Sequence, residues 1–384
     1  MATVTTASAD NVLKSYYLGA VTDQLNKTAN PLLARIQQTS SDVWGKDIRK
    51  AVRYGVNGGI SAGSEEGDLP EARGNNYEQF VLSLKNLYGT IEITDKALRA
   101  SANGEGAFVN LLNDEMDGLI KSSSFNFGRM LFGDGSGLLG TVVNGTSIKL
   151  TMDSIRNLTE GMRVDVYTSD NRLVASGSAI TVVNRPTKVV TISPGLSSDV
   201  TDGKMYLSGA KDKEITGLGA IFGNSAMLYG ITRSQWLKPY VKTDVGDITE
   251  NEIQKAIDEV EMRSGSRVNF IVCSWGVRRA LIEVLSKYRQ TESIELEGGF
   301  RAISFNGIPV VADRFCPEGT MYLLNTDDFG IHQLCDWQWL EGEDGKILKQ
   351  IAGKPVYTAT LVKYAELLCY RPCGQAMLSG ITEG

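Results

Sequence analysis

Apolar positions near the start of the chain recur at roughly helical spacing. Val12, Tyr16, Leu18, Val21 and Leu25 share a stripe, and Pro31 interrupts before Leu32–Ile36 resumes. The spacing predicts an amphipathic segment. It fits an arm that packs elsewhere as well as a helix of the main core. From Val43 the period falls to two. KDIRKAVRY (46–54) alternates, and a second alternating run from Tyr77 to Tyr88 sets Phe80, Leu82 and Leu84 on one face. Between them lies VNGGISAGSEEGDLPEARGNN (56–76), rich in Gly, Ser and acids. Two strands around so long a polar tip predict an extended hairpin that buries little by itself. A projecting arm that binds a partner and a floppy surface loop both fit this pattern.

TIEITDKALRAS (90–101) reads as a strand running into a short helix capped by Thr94 or Asp95. A longer helical pattern then covers about Gly106 to Leu131, with Phe108, Leu111, Leu112, Glu115, Leu119, Phe125 and Met130 setting the period. Some 25 residues of helix would span about 40 Å, a strut by globular standards. FGDGSG (132–137) stops it. Residues 138–212 are a different kind of sequence: GTSIKLTM, RVDVYTS, LVASGSAITVVN, TKVVTIS and MYLSG are short β-branched runs parted by Gly, Asn, Asp and Pro. They predict a small antiparallel barrel or sandwich, and the helical patterns on both sides make it an insertion in a host fold.

The host resumes as α+β. Thr249 and Glu252 form a capping-box pattern ahead of Ile253, Ile257 and Val260, and Gly265 is a stop. RVNFIVC (267–273) is a buried-type strand, and Ser274 caps a helix to about Tyr288. The remainder returns to strands: FRAISFNGIPVVADRFC, TMYLLN, IHQL, and runs from Tyr357 to Cys369 and Gln375 to Ile381.

Composition narrows the chemistry. The 384 residues include one histidine, His332, so paired-histidine zinc sites are impossible and any catalytic triad would have to use that residue. His332 sits beside Gln333 with Asp327 and Asp328 upstream, but the sequence nominates no nucleophile, and a structural or surface histidine is expected. A net charge of -6 argues against nonspecific duplex binding, although a local basic strip could still hide in it. Five dispersed cysteines fit reduced thiols better than a disulfide framework, and the Cys369–Cys373 pair has no second pair to complete a metal site. GLGAIFG (217–223) and GDGSG (133–137) lack the Gly-Lys-Ser/Thr ending of a phosphate loop and read as turns. Glu65, Glu66 and Asp68 lack the ligand ladder of a calcium site. Trp337 and Trp339, near a turn, suggest a contact surface, or one tryptophan in the core and one on the rim. No catalytic, cofactor-binding or metal residue is nominated, and no cofactor is expected. No apolar run reaches membrane-spanning length, and MATVTTASAD lacks the features of a signal peptide.

Taken in order, these parts resemble the major capsid protein of a tailed bacteriophage. The resemblance covers roughly 1–137 and 213–384. Its most specific pieces are Gly307, Pro309, Val310, Asp313, Gly319 and Tyr322 in FNGIPVVADRFCPEGTMYLL, together with the Asp95–Leu98 stretch. The resemblance implies an α+β tailed-phage major capsid fold. Residues 1–43 would be an N-terminal arm and 44–90 an extended hairpin loop lying over a neighbouring subunit. Residues 91–137 and 351–384 would form the peripheral domain with a spine helix, 138–212 an inserted β domain, and 213–350 the axial domain. It further implies a non-enzymatic head protein in the virion, assembled in the host cytoplasm into hexamers and pentamers of an icosahedral shell. That shell would enclose double-stranded DNA without sequence-specific contacts or any membrane. No long cleavable N-terminal region is evident, so a separate scaffolding protein is expected, with a portal and a decoration protein as further partners. Lys46, Lys50 and Lys85 flank the loop, but nothing marks one as reactive. An encapsulin-type compartment shares the fold and stands as the alternative. A carbohydrate-binding or adhesin-like surface protein built around the β block is the rival from another class, and a cytosolic hydrolase is disfavoured by the single histidine.

Overall fold

A computed structural model describes residues 30–41, 43, 45, 47–96, 107–287, 293–295, 301–342 and 345–384. The amphipathic stripe from Val12 to Leu25, Lys46 and the Leu98 end of the Asp95–Leu98 stretch lie outside them. Two large sheets, a closed barrel, two two-stranded sheets, one long helix and several shorter helices make up the regular structure of the described residues.

The first sheet is built around the strand Val356–Cys369. Phe329–Trp339 runs antiparallel along one side of it, from the Phe329–Cys369 pair to Trp339–Leu361. Lys85–Thr94 runs antiparallel along the other, from Thr94–Val356 to Lys85–Ala365. The short strands Gln37–Thr39 and Lys349–Gln350 complete five strands. The alternating run expected from Tyr77 to Tyr88 is therefore two strands. Asn76–Ser83 belongs to the hairpin with Asp47–Tyr54. After Leu84 the chain leaves that partner and Lys85–Thr94 joins the large sheet.

Seven strands form the second sheet, in the order Tyr240–Lys242, Ala376–Leu378, Met321–Leu324, Phe270–Cys273, Ile308–Ala312, Arg301–Phe305 and Ser293–Glu295. The runs FIVC and MYLL are apolar throughout because both faces are covered. Phe270, Val272, Tyr322 and Leu324 point into the main core, while Ile271, Cys273, Met321 and Leu323 face a second core. That second core is closed by the helices Glu250–Ser264 and Trp275–Lys287, through Ile253, Ala256, Val260, Val277, Leu281 and Leu285. Asn306 and Gly307, both at positive φ, make the two-residue turn between Arg301–Phe305 and Ile308–Ala312. The Gln375–Ile381 run contributes only the three-residue strand Ala376–Leu378.

The expected domain boundary at 350/351 does not coincide with sheet membership. Phe329–Trp339 pairs into the first sheet, and Ala376–Leu378 crosses into the second. Likewise, Lys85–Thr94 is part of the first sheet and not of the hairpin.

The long helix Ala107–Phe132 packs on the main core through Met116, Ile120, Phe127, Met130, Leu131 and Phe132. Glu115, counted in its period, is exposed. At Gly128 the helix is approached so closely that a Cβ would lie 2.7 Å from both the Asn30 amide and the Phe315 ring. After this helix, Leu138–Thr146, Lys149–Met152, Arg163–Tyr167, Leu173–Asn184, Val189–Ser193 and Val200–Leu207 close into a six-stranded antiparallel barrel. The barrel has a core of its own, including Val142, Leu150, Val164, Val166, Val190 and Met205. GLGAIFG is not a turn: Leu218–Phe222 is one helical turn with Leu218, Ile221 and Phe222 buried.

Helix ends follow their local chemistry with one departure. Thr249 Oγ1 accepts the Glu252 N–H at 3.2 Å, and Gly265 ends the helix at φ +63. The Glu252 carboxylate does not complete a capping box: it binds the ammonium of Lys242 and lies 3.6 Å from that of Lys255.

Candidate assembly surface

The hairpin Asp47–Tyr54/Asn76–Ser83 is half anchored and half bare. At its root, alternation places Ile48, Phe80 and Leu82 in the main core. The Tyr54 ring stacks on Trp236 at 4.7 Å, and Phe80 lies 5.2 Å from Tyr229. The Val81 N–H donates to the Tyr229 carbonyl at 3.0 Å, while the Tyr229 hydroxyl accepts the Cys369 N–H, also at 3.0 Å. The root is thus tied to the first sheet through one buried tyrosine.

Past Tyr54 the ladder ends and the chain opens into a tip. Val56, Ile60 and Leu69 are 83–90% exposed, and every residue from Ser61 to Gln79 is exposed. The tip's own hydrogen bonds are local, such as Gly59 N–H to Asn57 Oδ1 and Asn57 to Asn75. Glu65, Glu66 and Asp68 lie on this exposed tip. Among the described residues no group of His, Cys, Asp and Glu could hold a metal ion.

Two concavities flank the hairpin's attachment. A groove of roughly 940 Å³ lies between Lys50–Val56, the end of the helix Glu250–Ser264 and the segment Tyr370–Cys373. A second cleft of roughly 690 Å³ separates the start of Lys85–Thr94, the long helix and the barrel's exit segment Leu207–Glu214. Lys50 and Lys85 each line one of them, and the Lys50 ammonium lies over the Tyr370 ring.

Buried charges hold the junction of barrel and host. Arg129 on the long helix makes a two-pronged ion pair with Glu214, at 2.9 and 2.5 Å, with both side chains 2% exposed. Glu366 accepts the Thr216 N–H at 2.6 Å and its neighbour Leu367 N–H at 3.0 Å. Burial pushes its carboxyl up to about 7, against these hydrogen bonds and the attraction of Lys85. Lys363, also buried, donates to Gln333 and Asp336 at 2.6 Å each, and burial holds its ammonium below the usual lysine range. None of these three sites was singled out in the sequence. The available signal was a lysine and a glutamate inside the apolar strand run TLVKYAELLC.

The other candidates prove structural. His332 is fully buried, its Nε2 sharing a hydrogen bond with the Tyr370 hydroxyl at 2.8 Å. Trp337 and Trp339 are both core residues at 5% exposure, which removes the expected aromatic contact surface. They sit two apart on one strand and so share its inward face. Cys369 is buried, and all five cysteines are free. Asp313 uses Oδ1 to accept the Phe315 N–H at 2.9 Å, and burial pushes its carboxyl up to about 6. Tyr322 packs its ring 5.1 Å from Phe222. No described helix is long and apolar enough to cross a membrane.

No family model and no curated protein matches the sequence. Solved structures do. A chain of the capsid asymmetric unit of cyanophage A-1(L) is similar at a TM-score of 0.58 and 11% identity, over 93% of this chain and 94% of that one. An encapsulin from Synechococcus elongatus PCC 7942 gives 0.49 at 11% identity, over 92% and 89%. A chain from Mycobacterium phage Adephagia gives 0.49 at 11% identity, over 100% and 99%. The cyanophage likeness spans nearly all of both chains and shows the fold: this is a tailed-phage major capsid fold.

Proposed function

We propose that the chain is a major capsid protein whose copies assemble into hexamers and pentamers of an icosahedral shell enclosing double-stranded DNA. The observation that carries the reading is the likeness to the cyanophage capsid chain over almost the full length of both. The bare hairpin tip supports it, since a segment with three large apolar side chains and no core of its own needs a neighbour. In this reading the first sheet and the long helix form the peripheral domain, and the helix is its spine. The second sheet with its two helices is the axial domain. The hairpin is the extended loop over a neighbouring subunit, residues 1–43 are the arm, and the barrel is an insertion. A separate scaffolding protein, a portal and a decoration protein are the further partners, and the shell is part of the virion.

Electron microscopy of the purified recombinant chain tests this. Closed shells or ring-shaped capsomers are expected. A population of monomers or small discrete oligomers at all concentrations and salts overturns it.

A further inference from the structure

The strand Lys85–Thr94 has a partner on one side only. Val356–Cys369 pairs along its whole length, and among the described residues no strand takes its other edge. The register shows which backbone groups are left over. The Asp95 N–H donates to the Pro355 carbonyl at 2.8 Å, continuing the ladder beyond the Thr94–Val356 pair. Antiparallel bonding alternates, so odd-numbered residues address that partner, and Asn86, Tyr88, Thr90 and Glu92 turn their N–H and C=O groups outward. All four residues are exposed.

Part of this edge is recessed. Residues 83–89 form one wall of the 690 Å³ cleft, the long helix is its floor, and the barrel's exit segment stands opposite. The helix comes so close over Gly89 that a Cβ there would lie 2.8 Å from Leu119. Leu119, Phe127, Met130 and Trp337 give the cleft an apolar base. Asn126 joins them, its Oδ1 buried and without a hydrogen-bond partner. Lys85 and Lys213 line the cleft with Asp212, while the remaining acid, Glu214, is held by Arg129.

Unpaired strand backbone beside an apolar floor is the arrangement on which an extended peptide adds a strand. Main-chain bonds to Asn86 and Tyr88 hold such a peptide, and its alternate side chains reach the floor. The surplus of lysine favours an acidic occupant. A recess between helix and barrel suits one extended chain and not the broad sheet of a second copy.

We propose that the cleft binds an extended, acidic segment of a separate polypeptide as an added strand on the Asn86–Tyr88 edge. The site goes beyond the shell reading and does not depend on it, because the cleft lies within one subunit.

Selection from a random peptide library on the full chain, followed by synthesis of the enriched sequences, tests it. Enriched peptides should carry Asp or Glu beside alternating apolar residues. Their affinity, read by fluorescence anisotropy, should fall about tenfold on Tyr88→Pro, which removes an outward N–H and leaves the ladder intact. Asn126→Ala should weaken them about fivefold. Of the two alternate sets of backbone nitrogens in a peptide, methylating one should abolish binding and methylating the other should not. Circular dichroism confirms that each variant is folded; where Tyr88→Pro is not, Asn126→Ala and the methylated peptides decide. No enrichment, equal affinity for the variants, or equal binding of both methylated forms overturns the site. These outcomes are read on the subunit and leave the shell reading untouched. Self-association of the unaltered chain that is lost in folded Tyr88→Pro would make a second copy the occupant, and overturns the proposal too.

Discussion

Burial is not equally tolerable for every charge. The Arg129–Glu214 pair satisfies itself, with two parallel hydrogen bonds between groups that water does not reach. Removing one partner strands the other, so Arg129→Met should cost about 3–5 kcal/mol, while Arg129→Met with Glu214→Leu should recover most of it. Urea unfolding midpoints of the two variants check this. Glu366 is different: its partners are backbone N–H groups, which favour its charged form, but among the described residues no buried cation pairs with it and burial outweighs them. Its folded-state carboxyl sits near 7 against an ordinary value of 4.5, so the folded protein holds a proton that the unfolded chain releases. The contribution of Glu366 to stability is then fully present below about pH 4.5 and is lost as pH rises toward 7. Glu366→Gln keeps the acceptor and removes the ionisation. The variant should lose most of the difference in Tm between pH 5 and pH 8, chiefly by melting higher at pH 8. A residual slope between about pH 4 and 6 is expected from Asp313, whose burial shifts it in the same direction. An unchanged difference in Tm would show that Glu366 is not the group responsible.

Among the elements, the barrel is the most self-contained. It closes its own ladder and fills its own core. Its entry and exit strands leave side by side: the Asp212 N–H donates to the Ser136 carbonyl at 2.7 Å, and a Cβ on Gly137 would lie 2.7 Å from the Ala210 carbonyl oxygen. Excising 138–209 and joining Gly137 to Ala210 should therefore leave the host folded, with its cooperative thermal transition retained by circular dichroism. Loss of that transition would make the barrel part of the host's core. The barrel was readable from sequence because each short β-branched run ends at its own turn residues, and such signals are local. Sheet membership was not readable, because it is decided by distant partners. Nothing within Tyr77–Tyr88 says that Leu84 separates a hairpin strand from a strand of another sheet, which pairs with residues 356–365. Glu252 carries the same lesson, since three-residue spacing suggested a capping box, yet Lys242, ten residues away in sequence, takes its carboxylate. His332 and the two tryptophans were found as residues, but their depth depends on which face of Phe329–Trp339 the rest of the chain covers.

For the whole molecule, what matters is the difference between what a lone subunit can bury and what it exposes. Its described cores are closed by its own helices and sheets, so the subunit has no evident need of the tip in order to fold. The tip instead leaves Val56, Ile60 and Leu69 in water, and full burial of each is worth about 1.5–3 kcal/mol. That free energy is available only from another molecule, and in a closed ring it is gained once per copy. Folding and assembly should therefore separate cleanly. Replacing residues 55–75 with a two-residue Asn-Gly turn preserves the ladder up to the Tyr54–Asn76 pair and discards only the exposed tip. The shortened subunit should unfold within a few degrees of the unaltered subunit when both are dilute. Under conditions in which the unaltered chain builds shells, it should sediment as subunits, and it should lack the concentration-dependent rise in Tm that assembly confers. Normal shells from the shortened chain would assign the assembling contact to another surface. A large drop in Tm at dilution would mean that the tip serves the fold of its own subunit after all.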